Sequence, residues 1–233
     1  MSSVHWMEGI AFDVKAIGEK CKAVGAVLII DGSQSVGAIP IDVLDCHIDA
    51  LVTVTYKWVF GAYSVTLAYI SDAFAQGLPL EESWMNRSNA EDFTSLTNYD
   101  HNYMPHAGRY NVGQQSNFIL MPIVVAGLRQ VLEWTPQAIQ LYCKNLLKPL
   151  KTCLDDVGIQ YEEDKYFSNH LVAIRLPKDF DQVRFKTLLA DNKIVVSNRG
   201  SIIRASFNVY NDEKDVAQLI NVIETAALLV KSV

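Results

Sequence analysis

Several things are scarce in this chain of 233 residues, and each scarcity removes a class of function. No apolar run approaches membrane-spanning length, so a transmembrane role is not expected. Positive charge is in deficit. The formal net charge of −6 argues against nucleic acid or an anionic membrane as the main partner. The four cysteines (Cys21, Cys46, Cys143 and Cys153) show no CxxC spacing, which suits reduced thiols in a cytoplasmic protein. The five histidines are scattered and none pairs with a cysteine at ligand spacing, so no metal centre is expected. Neither a GxGxxG fingerprint nor a P-loop is present, which disfavours a nucleotide-binding module. Residues Met1 to Lys15 lack a basic n-region and carry Glu8 and Asp13, so a secretory signal is not expected there. There is no internal repeat and no low-complexity tract.

What is present is the pattern of an α/β protein. A helical stretch over Phe12 to Val24, stopped by Gly25, leads into an apolar run, Val27 to Ile30, that ends in Asp31-Gly32. A strand ended this way delivers its last residue to the carboxyl edge of a sheet, where α/β proteins bind ligands. A second strand, Ile48 to Val54, ends in Thr55-Tyr56-Lys57-Trp58, and a third covers Val65 to Ile70. A carboxylate and a lysine then issue from neighbouring strand ends. Singly, each has a bland reading, Asp31 as a turn former and Lys57 as a surface lysine. As a pair they supply an amine for a Schiff base and an acid for a ring nitrogen, the requirement of a pyridoxal-phosphate enzyme.

The residues between Ser71 and Gln115 are polar and irregular, the mark of a functional or mobile loop. Beyond Asn117 the pattern gives helices over Ile119 to Trp134 and Pro136 to Val157, then a strand (Leu171 to Leu176) and a helix (Phe180 to Ala190). Two short strands (Lys193 to Ser197, Ser201 to Phe207) and a last helix (Glu213 to Lys231) follow. The division expected is 1–118 as part of a large α/β domain and 119–233 as a small α+β domain.

The segment Asp31-Gly32-Ser33-Gln34-Ser35-Val36-Gly37-Ala38-Ile39-Pro40-Ile41-Asp42, followed by Thr55-Tyr56-Lys57-Trp58, resembles the class V aminotransferase superfamily. Blocks at Arg87 to Phe93, Arg109 to Phe118 and Ile203 to Asn211 agree in order and spacing. The resemblance implies the C-terminal part of a large pyridoxal-phosphate-binding domain of the aspartate-aminotransferase type, followed by a small domain. It implies that Lys57 carries the cofactor as a Schiff base and shuttles protons, while Asp31 pairs with the ring nitrogen. Burial would help keep such an amine neutral. Gln34 resembles the family's donor to the ring's phenolate oxygen, unless it is a turn-exposed amide. Tyr56 matches the kynureninase-like members rather than the desulfurases, and its hydroxyl, or those of Thr53 or Thr55, would reach the phosphate. Gln114 lies where relatives place a polar residue that crosses a dimer interface, though it could equally be a solvated loop amide.

Arg204, on a strand among apolar residues, is the candidate for the carboxylate of an amino-acid substrate, against the alternative of a structural salt bridge. Trp58 reads as core packing, and Arg109 is ambiguous between a ligand role and loop support. His101 and His106 read as solvated loop residues, and Asp45-Cys46-His47 as a dyad only on paper. Leu188 to Ile203 contains no cysteine, which counts against desulfurase chemistry and leaves transamination, lyase and epimerase reactions open. Val4-His5-Trp6 resembles the middle of the family's large domain, so the phosphate cradle is expected from elements not found here. A homodimer, or a partner chain supplying that part, is expected. The rival reading is a truncated, non-catalytic protein acting through its surfaces.

Overall fold

In a computed structural model the structure describes residues 1–98, 100–115, 117–177 and 181–230, the last three of these by backbone alone. The chain divides into two compact units: Met1–Ser3 with Asp13–Glu133, and Val4–Phe12 with Trp134–Val233.

The first unit begins with α1 (Val14–Val24), whose N-cap Asp13 accepts from Ala16 N–H and whose C-cap Gly25 is left-handed at φ 69°. Strand β1 (Ile29–Asp31) pairs in parallel with β2 (Ala50–Val54), and β2 pairs antiparallel with β3 (Thr66–Ile70). On one face of this sheet, Ile30 and Leu51 pack with Val14, Leu28 and Ile48. The other face stays open, with Ile29 at 50% and Val52 at 39% exposure. Among the described residues of 71–115 the helical pieces are short 3₁₀ turns, at Asp72–Phe74, Trp84–Asn86 and His106–Tyr110, and Arg87 bridges antiparallel to Tyr103, so the stretch is internally tied. Buried Asn86 donates to the carbonyls of Arg109 and Asn111, and Arg109 donates to those of Gly77 and Met104. Arg109, ambiguous in sequence between a ligand role and loop support, thus ties this loop together.

Helix α2 (Leu120–Trp134) is preceded by Asn117, whose side-chain oxygen accepts from Leu120 N–H. The expected boundary at 118/119 would place this helix with the small domain; the structure groups it, up to Glu133, with the first unit. The reason is visible at Gly127, where a β-carbon would stand 2.2 Å from the Val59 carbonyl oxygen.

In the second unit, the single helix expected over 136–157 is two, α3 (Pro136–Leu146) and α4 (Lys148–Asp156). Pro149 lacks an N–H and its ring opposes the preceding turn, so the axis breaks at Leu147. Strand β4 (Leu171–Arg175) and β5 (Ser197–Arg199) flank β6 (Ile202–Ser206), all antiparallel. Strand β5 starts later than expected because Lys193 is left-handed (φ 56°) and Ile194 N–H closes back on Leu189, ending α5 (Gln182–Asp191). The expected start of that helix, Phe180, lies outside the described residues, as does Lys231 at the expected end of α6 (Glu213–Val230). Val172, Ile174, Ile203 and Ala205 face a core drawn from α3 to α6, with Phe185 fully buried at its centre. Residues Val4–Phe12 lie against the sheet: Gly9 (φ 69°) passes so close that a β-carbon would strike the Leu171 carbonyl. Among the described residues no helix is long and apolar enough to cross a membrane.

Candidate active site

Asp31 and Lys57 leave the sheet from adjacent parallel strands, and the turns that carry them are joined in three ways. Gly32 N–H donates to Val52 O at 2.8 Å, continuing the β1–β2 ladder into the first turn. The Thr53 hydroxyl donates to Gly32 O at 3.2 Å. The Trp58 indole N–H donates to the Gln34 side-chain oxygen at 3.1 Å, both side chains being buried. A fourth feature is steric. Gly37, at φ 91°, lies so near the second turn that a β-carbon would sit 2.5 Å from Trp58 O. The Lys57 turn is therefore held between the turn after β1 on one side and α2, through Gly127, on the other.

The predicted site residues fall out as follows. Asp31 is exposed, and one carboxylate oxygen accepts from Ser33 N–H at 2.9 Å, which fixes the carboxylate at the strand end. Lys57 is half-buried, its amine 5.9 Å from the centroid of the Tyr56 ring. Tyr56 stacks on Tyr63 with centroids 4.2 Å apart. Gln34 is buried at 7% exposure, so it is not a turn-exposed amide. Its side-chain oxygen accepts from Trp58, which fixes the plane of the amide. Thr53 and Thr55 are buried, and both hydroxyls donate to backbone carbonyls: Thr53 to Gly32 and Val54, Thr55 to Ala62 and Val65. Gln114 is exposed in the stretch before α2.

Arg204 belongs to the second unit. It is half-buried at the centre of the sheet, opposite Ala173 on one side and Ser197 on the other, and its guanidinium donates to the carbonyl of Trp6. No carboxylate among the described residues pairs with it. Burial pulls its pKa below the usual arginine value, and the positive charge of Arg199 adds to this. His106 is exposed, 3.5 Å from Asp72, and the carboxylate of Asp45 pairs with Lys15 rather than with His47.

Sequence reasoning missed two residues. Trp58, read as packing, is also the hydrogen-bond donor that orients Gln34. Gly127 is the contact that seats a helix on the lysine turn. An indole four residues after a strand carried a weak signal for the first, and a lone glycine in an apolar helix one for the second.

The groups present fit the ring end of pyridoxal phosphate: a fixed carboxylate, an amine one strand away and an oriented amide donor. At the phosphate end the fit is weaker, because the Thr53 and Thr55 hydroxyls are already spent on the backbone.

Comparison with known proteins gives the same family. The chain is 27% identical over 222 residues to the "Uncharacterized aminotransferase YcbU" of Bacillus subtilis (strain 168), covering 94% of this chain and 56% of that protein. It is 24% identical to a "Probable cysteine desulfurase" of Pyrococcus abyssi, over 96% of this chain and 57% of the other. Among solved structures, the apo cysteine desulfurase of Thermococcus onnurineus NA1 shares the fold across 100% of this chain and 59% of its own, with a TM-score of 0.78 at 21% identity. The fold is thus the mixed α/β fold of the pyridoxal-phosphate transferases, in part. The chain spans a little over half the length of these relatives. The family model for "Aminotransferase class-V" matches residues 1–219, nearly the whole chain, and with the strand-end lysine and aspartate in place the conclusion is plain: the chain belongs to the class V aminotransferase family, whose members are pyridoxal-phosphate-dependent.

Proposed function

We propose that this chain carries the cofactor-lysine part of a pyridoxal-phosphate enzyme acting on an amino acid, by transamination or related lyase or epimerase chemistry. The observation that supports it is the joining of the Asp31 and Lys57 turns by the Trp58–Gln34 hydrogen bond and the close approach of Gly37 to Trp58. Bound there, the cofactor supplies an electron-withdrawing ring in conjugation with the α-carbon of the amino acid. The chain's own residues do the rest. The Lys57 amine attaches the cofactor and, once released, takes and returns the proton of the substrate α-carbon. Asp31 keeps the ring nitrogen protonated by charge, and Gln34 donates to the ring oxygen from a fixed direction. Tyr56 and Gln114 are assigned to the phosphate, with Thr53 secondary to them. Arg204 holds the substrate carboxylate through two parallel hydrogen bonds, which orients the α-C–H bond.

Sulfur transfer is not favoured. Cys143 and Cys153 are buried, and burial pushes both thiols up to about 11, the reverse of an activated thiolate. A homodimer, or a second chain carrying the remaining part of the large domain, would complete the phosphate end.

The test is to add pyridoxal phosphate to the purified chain, reduce with borohydride and map the adduct by peptide mass spectrometry. A saturable adduct confined to Lys57, lost in Lys57→Arg and weakened in Asp31→Asn, is expected. Labelling scattered over surface lysines would overturn the reading. One observation favours a second one: the apolar Ile29 and Val52 face of the first sheet is uncovered, as in a non-catalytic protein that acts by docking to another chain.

A further inference from the structure

The second unit presents three arginines on one face of one sheet. In the antiparallel pairing, Arg175 and Arg199 both stand opposite Ile202, and Arg204 is two residues further along the same strand. Side chains two apart on a strand share a face, and diagonal neighbours in adjacent strands lie within reach of long side chains. The opposite face is occupied by Val172, Ile174 and Ile203 in the core, so the arginine face is the one turned to Val4–Phe12.

The three charges are not treated alike. Arg175 is neutralised, with Glu8 against its guanidinium and Glu162 at 3.6 Å. Arg199 and Arg204 meet no carboxylate among the described residues. Both engage Trp6 instead: Arg204 donates to its carbonyl, and Arg199 lies 5.8 Å from the ring centroid. Burial and the charge of Arg199 together lower the pKa of Arg204, so the two cations oppose each other across this face. Two like charges gathered on one surface, with a third beside them already paired, leave room for a ligand that brings two negative charges.

We propose that Arg199, with Arg204 and Trp6, forms a two-guanidinium site that selects a dicarboxylic substrate, Arg204 taking the α-carboxylate and Arg199 the distal one. This rests on the assignment of Arg204 to the substrate carboxylate and adds to it the substrate class. Arg199 is exposed and its guanidinium donates to its neighbour Asn198 O at 2.8 Å, so it can swing without disturbing the core.

The probes are dicarboxylates that need no cofactor. The full chain, without pyridoxal phosphate, is titrated with succinate, glutarate, propionate and inorganic phosphate while the Trp6 indole and arginine Nε–H resonances are followed by NMR. The better dicarboxylate is expected to bind at least about tenfold more tightly than propionate, the value of one further charge-assisted pair. Arg199→Gln should bring that dicarboxylate down to the propionate level and leave propionate itself unchanged. Arg204→Lys should weaken both. Equal affinity for mono- and dicarboxylate, or a dicarboxylate preference that survives Arg199→Gln, overturns the inference. So does phosphate binding as tightly as the dicarboxylate, which would make this a site for any dianion. Because these titrations omit the cofactor, they stand apart from the Lys57 adduct. A Lys57 adduct without dicarboxylate selectivity sinks this inference alone, and selectivity without the adduct sinks the enzyme reading alone.

Discussion

The two units have each a three-stranded sheet, but only one has it covered on both sides. In the second unit, α3 to α6 pack one face of β4–β6–β5 and Val4–Phe12 lie along the other. In the first, α1 and the residues around Ile48 cover one face of β1–β2–β3, while Ile29 and Val52 remain open on the other. The buried cluster of the second unit is several-fold larger. The apolar run Val27 to Ile30 that enters β1 has the pattern of a parallel strand buried on both faces, and it calls for a layer that the described residues do not provide. The candidate chemistry of the cofactor sits in the unit with the smaller core. The candidate for substrate recognition sits in the well-packed one.

This contrast can be broken experimentally. The largest effect is expected from Phe185→Ala, which empties the centre of the second core and should cost about 3–5 kcal/mol. Hydrogen exchange followed by mass spectrometry should show the loss in peptides of 134–230 and little change around β1 and β2. Equal loss in both units would mean that they unfold as one. Next is Gly37→Ala. The added β-carbon meets the Trp58 carbonyl and the backbone is at φ 91°, a combined cost of about 2–4 kcal/mol. Here exchange should quicken in 31–37 and 55–61, and borohydride-trapped labelling of Lys57 should fall, with the second unit unmoved. A third effect, set by pH and not by one substitution, is expected in alkali. Cys143 and Cys153 keep their protons when folded up to about 11. Unfolded thiols release them near about 8.5, so between those values the unfolded state binds fewer protons and stability falls as pH rises. Below that window these thiols contribute no pH dependence. The urea midpoint of the second unit should drop from pH 7.5 to 10, and the double variant Cys143→Ala, Cys153→Ala should flatten the drop. An undiminished drop would assign it to other groups.

Much of this was legible in the chain itself, and the part that was not has a common cause. Strands β1 and β2, the Gly25 stop and the acid and lysine beyond the strand ends are local signals, written in runs of a few residues. What could not be read was contact between distant residues. Nothing around Trp58 says that its indole will meet Gln34. Nothing around Arg204 says that its guanidinium will meet a backbone carbonyl at residue 6. The helix break at Leu147 was missed although Pro149 is a local signal for it. The late start of β5 could not be read, because a left-handed Lys193 has no signature of its own. Threonines 53 and 55 show the other difficulty: residue type offers a hydroxyl, and only the structure shows that the backbone has claimed it.

The seating of Gly127 on the lysine turn has a consequence for how the protein is made. During synthesis the turn around Lys57 leaves the ribosome after Gly37 has been made, but before the helix that closes its other side. The whole 71–115 loop must emerge first, and then most of α2. Synthesis proceeds at roughly 5–20 residues per second, so the nascent turn waits for seconds with one flank open. The candidate cofactor amine is thus translated before the helix that fixes its turn in place.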